Sequence, residues 1–266
     1  MDFVTSKDGT RIAYERQGTG PAVVLVGGAA VTRSENAGLA AELASRFTTY
    51  NYDRRGRGDS GDTQPYALAR EIEDLEAVIA AAGGTAHLYG SSSGGALALE
   101  ATAAGVPADR VAVYEVPYDM FDGAQDRHRE YTRELRELLA EGRNGDAFAR
   151  FMRLAGSSEE DIAGARASDF WPGCEAVAPT LAYDAAAVGD NRPPADRFGR
   201  ISQPVLVATG GASAESFIGG GGAFFDNAAD AIVAVLPHAE RTKIPGQWHQ
   251  VDPKALAPYL ERFYEG

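Results

Sequence analysis

Residues 86–101, Ala-His-Leu-Tyr-Gly-Ser-Ser-Ser-Gly-Gly-Ala-Leu-Ala-Leu-Glu-Ala, constrain the fold of this chain more than any other stretch. A short apolar run meets glycine, three serines and two more glycines, and then an alanine- and leucine-rich run follows. The order predicts a buried strand, a tight turn and a helix. Ser92 stands midway between Gly90 and Gly94. A serine at the centre of such a turn needs small residues two positions to either side, because bulkier ones would clash where strand and helix nearly touch. Its hydroxyl then projects from the carboxyl edge of the sheet, toward the free N–H groups that begin the helix. Ser93 is expected to offer its backbone N–H there, and Ser91 to pack. A plain Ser/Gly-rich loop would give the same five residues, so the flanking strand and helix carry the argument.

The rest of the chain supplies strands and helices in alternation. Phe3–Ser6 and Arg11–Glu15 flank Lys7-Asp8-Gly9-Thr10, a hairpin expected at a sheet edge. Ala22–Val26 is an unbroken apolar run, the pattern of a strand covered on both faces. It ends in Gly27-Gly28-Ala29-Ala30, where small residues admit a ligand and the Ala29 N–H is a candidate anion donor; a plain strand-ending turn fits equally. Thr48–Tyr52 reads as a strand running into Asp53-Arg54-Arg55-Gly56-Arg57-Gly58-Asp59. No Walker lysine accompanies these arginines, so they are expected to order a loop through Arg–Asp pairs. A helix is expected from about Tyr66 to Ala82, then a strand over Arg110–Pro117 carrying Glu115. Strand, helix and strand in succession imply right-handed crossovers and a parallel sheet, with reactive groups gathered at its carboxyl edge.

From Tyr118 to Arg200 helical periodicity and charge dominate. Residues 118–200 are expected to form a helical insertion over the sheet edge, and residues 1–117 with 201–266 the core. Phe170-Trp171 could lie over a pocket, or form the insertion's own core. The sheet resumes at Gln203–Thr209, followed by a helix with Phe224 and Phe225, a strand over Arg241–Ile244, the Pro245–Gln250 loop and a last helix.

Composition narrows the function. The net charge of −13 repels a phosphate backbone or an anionic membrane, so nucleic acid and membrane partners are not expected. One cysteine, Cys174, excludes an internal disulfide framework and suits a reducing compartment; it is expected to be a small buried side chain. No apolar leader or span of about 20 residues is present, so the chain reads as soluble and cytoplasmic. No His/Cys/Asp cluster has metal-ligand spacing, and no metal or cofactor is expected.

Of four histidines, His87 falls within a strand, His128 in the charged insertion and His238 in a surface turn. His249 follows the last strand in a glycine-containing loop, from which a base could reach Ser92. A serine hydroxyl at neutral pH needs such a base to remove its proton.

These features together resemble the α/β-hydrolase superfamily. The edge hairpin, the Asp53–Gly58 loop, the Gly90–Gly94 elbow, the helical insertion and the Gly246-x-x-His249 ending stand in its order. The resemblance implies a mostly parallel, doubly wound α/β sheet with a helical cap. It implies acyl transfer: attack by Ser92, proton shuttling by His249, and an oxyanion held by the N–H groups of Ala29 and Ser93. The expected substrate is a small uncharged carboxylic ester or lactone.

Two departures stand out. Gly27-Gly28 replaces the usual His-Gly, which leaves the backbone donors intact. At the usual place of the triad acid, counted from Gly210, stands Ser213. Glu115 resembles the alternative acid position of some branches, including certain haloalkane dehalogenases, and keeps the order Ser, acid, His; a buried glutamate bonded to backbone is the other reading. Glu215 and Asp119 are the fallbacks. Dehalogenation itself would need an aspartate where Ser92 stands. Should no acid serve His249, the scaffold would suit a non-catalytic small-molecule binder or a non-hydrolytic enzyme.

Overall fold

A computed structural model describes residues 1–212 and 222–266. Its strands are β1 (Asp2–Thr5), β2 (Arg11–Gly18), β3 (Ala22–Val26), β4 (Thr48–Tyr52), β5 (Ala86–Ser91), β6 (Ala108–Tyr114), β7 (Val205–Gly210) and β8 (Ala239–Ile244). Among the described residues they form one sheet in the order β1-β2-β4-β3-β5-β6-β7-β8. The first two are antiparallel to their neighbours and the remainder run parallel. The helices are α1 (Ala37–Leu43), α2 (Leu68–Ala81), α3 (Ser93–Ala103), α4 (Ala124–Ala140), α5 (Asn144–Leu154), α6 (Glu159–Arg166), α7 (Trp171–Val177), α8 (Leu181–Val188), α9 (Ala195–Phe198), α10 (Gly222–Val235) and α11 (Pro253–Glu265).

Alternate residues of the central strands point to opposite faces, and both faces are covered. Val24, Val26, Leu88, Val111 and Val113 pack with Leu75, Val78 and Ile79 of α2, the apolar α3, and Ala228 and Ile232 of α10. Val23, Leu25, Tyr89 and Ala112 pack on the other side with Leu39 and Leu43 of α1 and Leu256, Leu260 and Phe263 of α11. Each buried valine, leucine, isoleucine or phenylalanine among them contributes about 1.5–3 kcal/mol. Continuous apolar strands between two helical layers therefore explain the doubly wound form.

The register places the strand ends that matter side by side. Val26 pairs with Gly90, Ser91 with Tyr114, Tyr114 with Ala208, and Gly210 with Ile244. The segments that follow, Gly27–Ala30, Ser92, Glu115 and the loop after Ile244, consequently leave one edge of the sheet together.

Helices α4 to α9 lie in sequence between β6 and β7. Tyr131 and Leu135 of α4 pack on Ala147, Leu181 and Ala185, and Trp171 packs on Ala149, Ile162 and Ala165. Trp171 thus sits in the insertion's own core, while Phe170 faces solvent. The end of the insertion returns to the sheet: Ala187, Val188 and Phe198 belong to the same apolar cluster as α3.

Several boundaries differ from expectation. The helix expected from Tyr66 begins at Leu68, because Tyr66 is held outside it by stacking on Tyr183, with ring centroids 3.8 Å apart. Strand β6 ends at Tyr114, so Glu115 follows the strand rather than lying in it. Cys174 is partly exposed rather than buried, because it packs at the margin of the Trp171 cluster and not inside it. Among the described residues no helix is long and apolar enough to cross a membrane.

Candidate active site

The turn between β5 and α3 holds Ser92 at φ 52° and ψ −127°, a conformation that costs a non-glycine residue about 1–3 kcal/mol. It is fixed from both sides: Ser92 N–H donates to Tyr114 O at 2.9 Å, and Gly95 N–H donates to Ser92 O at 3.0 Å. The glycines are required by contact. A Cβ on Gly90 would lie 2.5 Å from Gly94 O, and one on Gly94 would collide with the carbonyl oxygens of Val26 and Gly27. Strand and helix pass this closely only without side chains.

Ser92 lines a cavity of about 570 Å³ on the carboxyl side of the sheet, as do Ser91, Ser93, Gly28, Ala29, Glu115 and His249. Tyr131 of α4, Phe151 and Leu154 of α5 and Val188 of α8 line it as well, so helices between β6 and β7 share the apolar lining with Phe224 and Phe225 of α10. The exposed Trp248 also belongs to the lining.

His249 Nδ1 lies 2.8 Å from Glu115 Oε2. The other carboxylate oxygen of Glu115 accepts the Gly210 N–H at 2.8 Å, so both oxygens have assigned partners. Glu115 adopts φ 47°, which turns the chain out of β6, and its own N–H donates to Ala208 O at 3.0 Å. Its side chain is 5% exposed against 22% for His249. The Phe225 ring stacks on the imidazole, centroids 4.8 Å apart and nearly parallel, and Tyr114 OH donates to Trp248 O at 2.5 Å. The histidine loop is therefore anchored through its ring and its backbone.

Of the alternative acids, Asp119 is among the described residues. Asp119 lines the same cavity, but its carboxylate is paired with Arg127 at 2.7 Å and accepts the Phe121 N–H at 3.0 Å. Glu215 and Ser213 lie outside the described residues. Of the remaining histidines, His87 is buried in β5 against Tyr264, and His238 is exposed. His128, expected merely within a charged insertion, stands on the cavity wall. Burial pushes its pKa down, against hydrogen bonds to the carbonyls of Gly189 and Ala185, which favours the neutral imidazole.

Below the cavity lies a charged cluster. Arg54 donates to Glu71 through Nε at 2.7 Å and Nη2 at 2.8 Å, and its Nη1 reaches Asp184 Oδ1 at 2.7 Å. The same Asp184 oxygen accepts Arg57 Nη2 and the Ser93 hydroxyl, each at 2.8 Å. Burial works against the charge on Arg54, yet Glu71 and Asp184 hold its pKa well above the usual value. Arg55 pairs separately with Asp74 at 2.7 Å and Asp8 at 2.9 Å. The arginine-rich loop is thus ordered by carboxylates, as its sequence suggests, with Glu71 and the distant Asp184 among them.

Asp184 and Glu35 were not legible as site residues. Glu35 accepts the Gly28 N–H at 3.1 Å and lines the cavity. The signal for Asp184 was a single acid in Leu-Ala-Tyr-Asp-Ala-Ala-Ala-Val, an otherwise apolar helix.

Comparison with known proteins agrees with this architecture. The family model of the alpha/beta hydrolase family matches residues 23–259. No curated protein matches the chain. Among solved structures, an alpha/beta hydrolase from Sphaerobacter thermophilus is 48% identical with a TM-score of 0.87, covering 99% of this chain and 100% of its own. A thermophilic esterase from Thermogutta terrifontis is 21% identical with a TM-score of 0.70, covering 99% and 97%. The enol-lactonase from Burkholderia xenovorans LB400 is 18% identical with a TM-score of 0.72 over the full length of both chains. The last two likenesses are of fold. With its sheet order, its serine turn and a model match over most of its length, the chain belongs to the alpha/beta hydrolase family.

Proposed function

We propose that this hydrolase cleaves a small, uncharged carboxylic ester or lactone through an acyl-enzyme on Ser92. The observation that carries the reading is the 2.8 Å contact of His249 Nδ1 with Glu115 Oε2, in the cavity that Ser92 also lines. A buried carboxylate on one imidazole nitrogen sets the tautomer in which the other nitrogen accepts a proton. Ser92 Oγ attacks the carbonyl carbon while His249 takes its proton, and Glu115 stabilises the resulting imidazolium. The carbonyl oxygen becomes an anion, received by the N–H groups of Ala29 and Ser93; Ser93 begins α3, so its N–H has no acceptor within the helix. Collapse expels the alcohol, which takes the proton from His249, and water repeats the sequence on the acyl-enzyme.

In this reading residues 118–200 serve as a cap. Tyr131, Phe151, Leu154 and Val188 give the acyl chain an apolar wall, which favours uncharged substrates. The esterase and the enol-lactonase among the structural neighbours show that the fold hosts both proposed substrate classes. The single cysteine suits a reducing compartment, and we place the enzyme in the cytoplasm.

The test is peptide mass spectrometry after exposure to a serine-reactive fluorophosphonate, with His249→Ala as control. A stoichiometric adduct on Ser92 that disappears in the control is expected. No adduct on the folded protein would overturn the reading and leave small-molecule binding or non-hydrolytic chemistry.

A further inference from the structure

The peptide between Gly28 and Ala29 is held from beneath. Gly28 O accepts Arg57 Nη1 at 2.5 Å, with Arg54 Nη1 more distant at 3.4 Å, and Gly27 O accepts the same Arg54 nitrogen at 3.3 Å. In a trans peptide the carbonyl of one residue and the N–H of the next point in opposite directions. Fixing Gly28 O toward the buried Arg57 therefore turns the Ala29 N–H away from it. Gly28 and Ala29 line the cavity and Arg57 does not; a Cβ on Gly28 would lie 3.2 Å from Ser92 Cβ. The Ala29 N–H is thus turned to the side of the peptide that faces Ser92.

The arginine is held in turn by the insertion. Asp184 of α8 accepts both Arg54 and Arg57 on Oδ1, and the Ser93 hydroxyl on the same atom. One carboxylate oxygen from the insertion therefore restrains the residues beside both anion donors, Ala29 through Arg57 and Ser93 directly. Four charged groups are buried here, Arg54, Arg57, Glu71 and Asp184. Such a cluster is a poor source of stability compared with apolar residues of similar volume. Its geometry gives it a different use.

We infer that Arg57 and Asp184 are positioning residues: they fix the Gly28–Ala29 peptide plane and so pre-form the oxyanion site, which makes that site depend on the docking of α8. This deepens the serine-hydrolase reading and rests on it. Neither residue is asked to touch the reacting atoms. Both act through backbone orientation, so their removal affects the anionic transition state more than binding of the neutral ester.

The test compares an alkylboronic acid with the neutral alkyl amide of the same chain length. The boronic acid mimics the transition state, because Ser92 Oγ bonds to boron and boron gains a negative charge; the amide mimics the ground state. Arg57→Met should weaken boronate binding about 100-fold and lower kcat similarly. KM and amide affinity should stay within about threefold, the mark of an interaction made in the transition state. Arg57→Lys, which keeps the charge on a shorter reach, should recover part of the loss, and Asp184→Asn should show the same split. The Lys and Asn variants serve if Arg57→Met does not fold. Unchanged boronate affinity and kcat in folded variants, or equal losses for boronate and amide, would overturn the inference. No boronate adduct on the wild-type protein would instead overturn the hydrolase reading itself.

Discussion

His249 Nδ1 and Glu115 Oε2 are 2.8 Å apart across 134 residues of sequence, and the carboxylate that makes this contact is held by the Gly210 N–H from β7. The acid is therefore built from two neighbouring strands rather than from one loop. Glu115→Gln keeps the size of the side chain and its Gly210 contact, but offers a neutral amide to the imidazole. Loss of the corresponding acid in a serine triad costs about 10⁴ in rate. A fall in kcat of about 10³–10⁴ with a folded protein is expected, read with an activated ester. Near-normal turnover would move the acid role elsewhere.

The elbow makes a stability prediction with a built-in control. A Cβ on Gly94 would meet the carbonyls of Val26 and Gly27, which neither strand nor helix can move aside. Gly94→Ala should destabilise by about 2–3 kcal/mol. A Cβ on Gly164, in α6, would meet nothing within 4 Å, so Gly164→Ala should gain about 0.5–1 kcal/mol in helix propensity. Urea melts of the two variants should shift in opposite directions. A shift in the same direction would contradict the close-approach explanation.

The fold was legible because the parallel strands are continuous apolar runs that alternate with amphipathic helices, and glycines punctuate them. Ala22–Val26 carries its boundaries in this pattern, while Thr48–Tyr52 is marked instead by its aromatic and β-branched residues before the Asp53–Gly58 loop. The placement of Ser92 and His249 in one cavity was legible for a related reason: each stands in a loop beside a strand end, and loops of that kind have a recognisable composition. Glu115 was harder, since one carboxylate after an apolar strand says nothing of its direction. Asp184 was beyond reach, because its meaning comes from Arg54, 130 residues away. Pairing between distant charges leaves no periodicity in sequence.

His87 gives a pH dependence near neutrality. It lies in β5, stacked on Tyr264 with centroids 4.6 Å apart and edge-on to Phe47, and its Nδ1 is buried without a partner among the described residues. Burial pushes its pKa below the usual 6.5. The unfolded chain takes up a proton as pH falls through about 6.5, whereas the folded chain resists it. Stability is therefore lost on the acid side, following the excess protons bound by the unfolded state. His87→Phe keeps the stacking and removes the titration. The difference in unfolding free energy between variant and wild type should grow in favour of the variant between about pH 7 and pH 5.5. A constant difference across that range would remove His87 from the balance.

Glu71 predicts a second loss at lower pH and ties it to the arginine cluster. Burial by itself would raise the Glu71 pKa, but the charge of Arg54 and its two hydrogen bonds outweigh burial and hold the pKa below the usual carboxylate value. A carboxylate with a lowered folded-state pKa contributes stability that is complete above the unfolded value, about 4.3 for glutamate, and is lost as pH falls through the folded value. Glu71→Gln removes one of the two buried carboxylates that offset Arg54 and Arg57. Breaking a buried pair in this way costs about 3–5 kcal/mol. At pH 7 the variant should be less stable than wild type by that amount. As pH falls through about 4.3 the unfolded wild-type chain takes up a proton at Glu71 that the folded chain resists, and the gap should narrow. Denaturant melts at about pH 7 and pH 3.5 measure both values. A gap that stays constant would mean that Glu71 supports the Arg54 loop through shape rather than charge, and the stability of the cluster would then rest on Asp184.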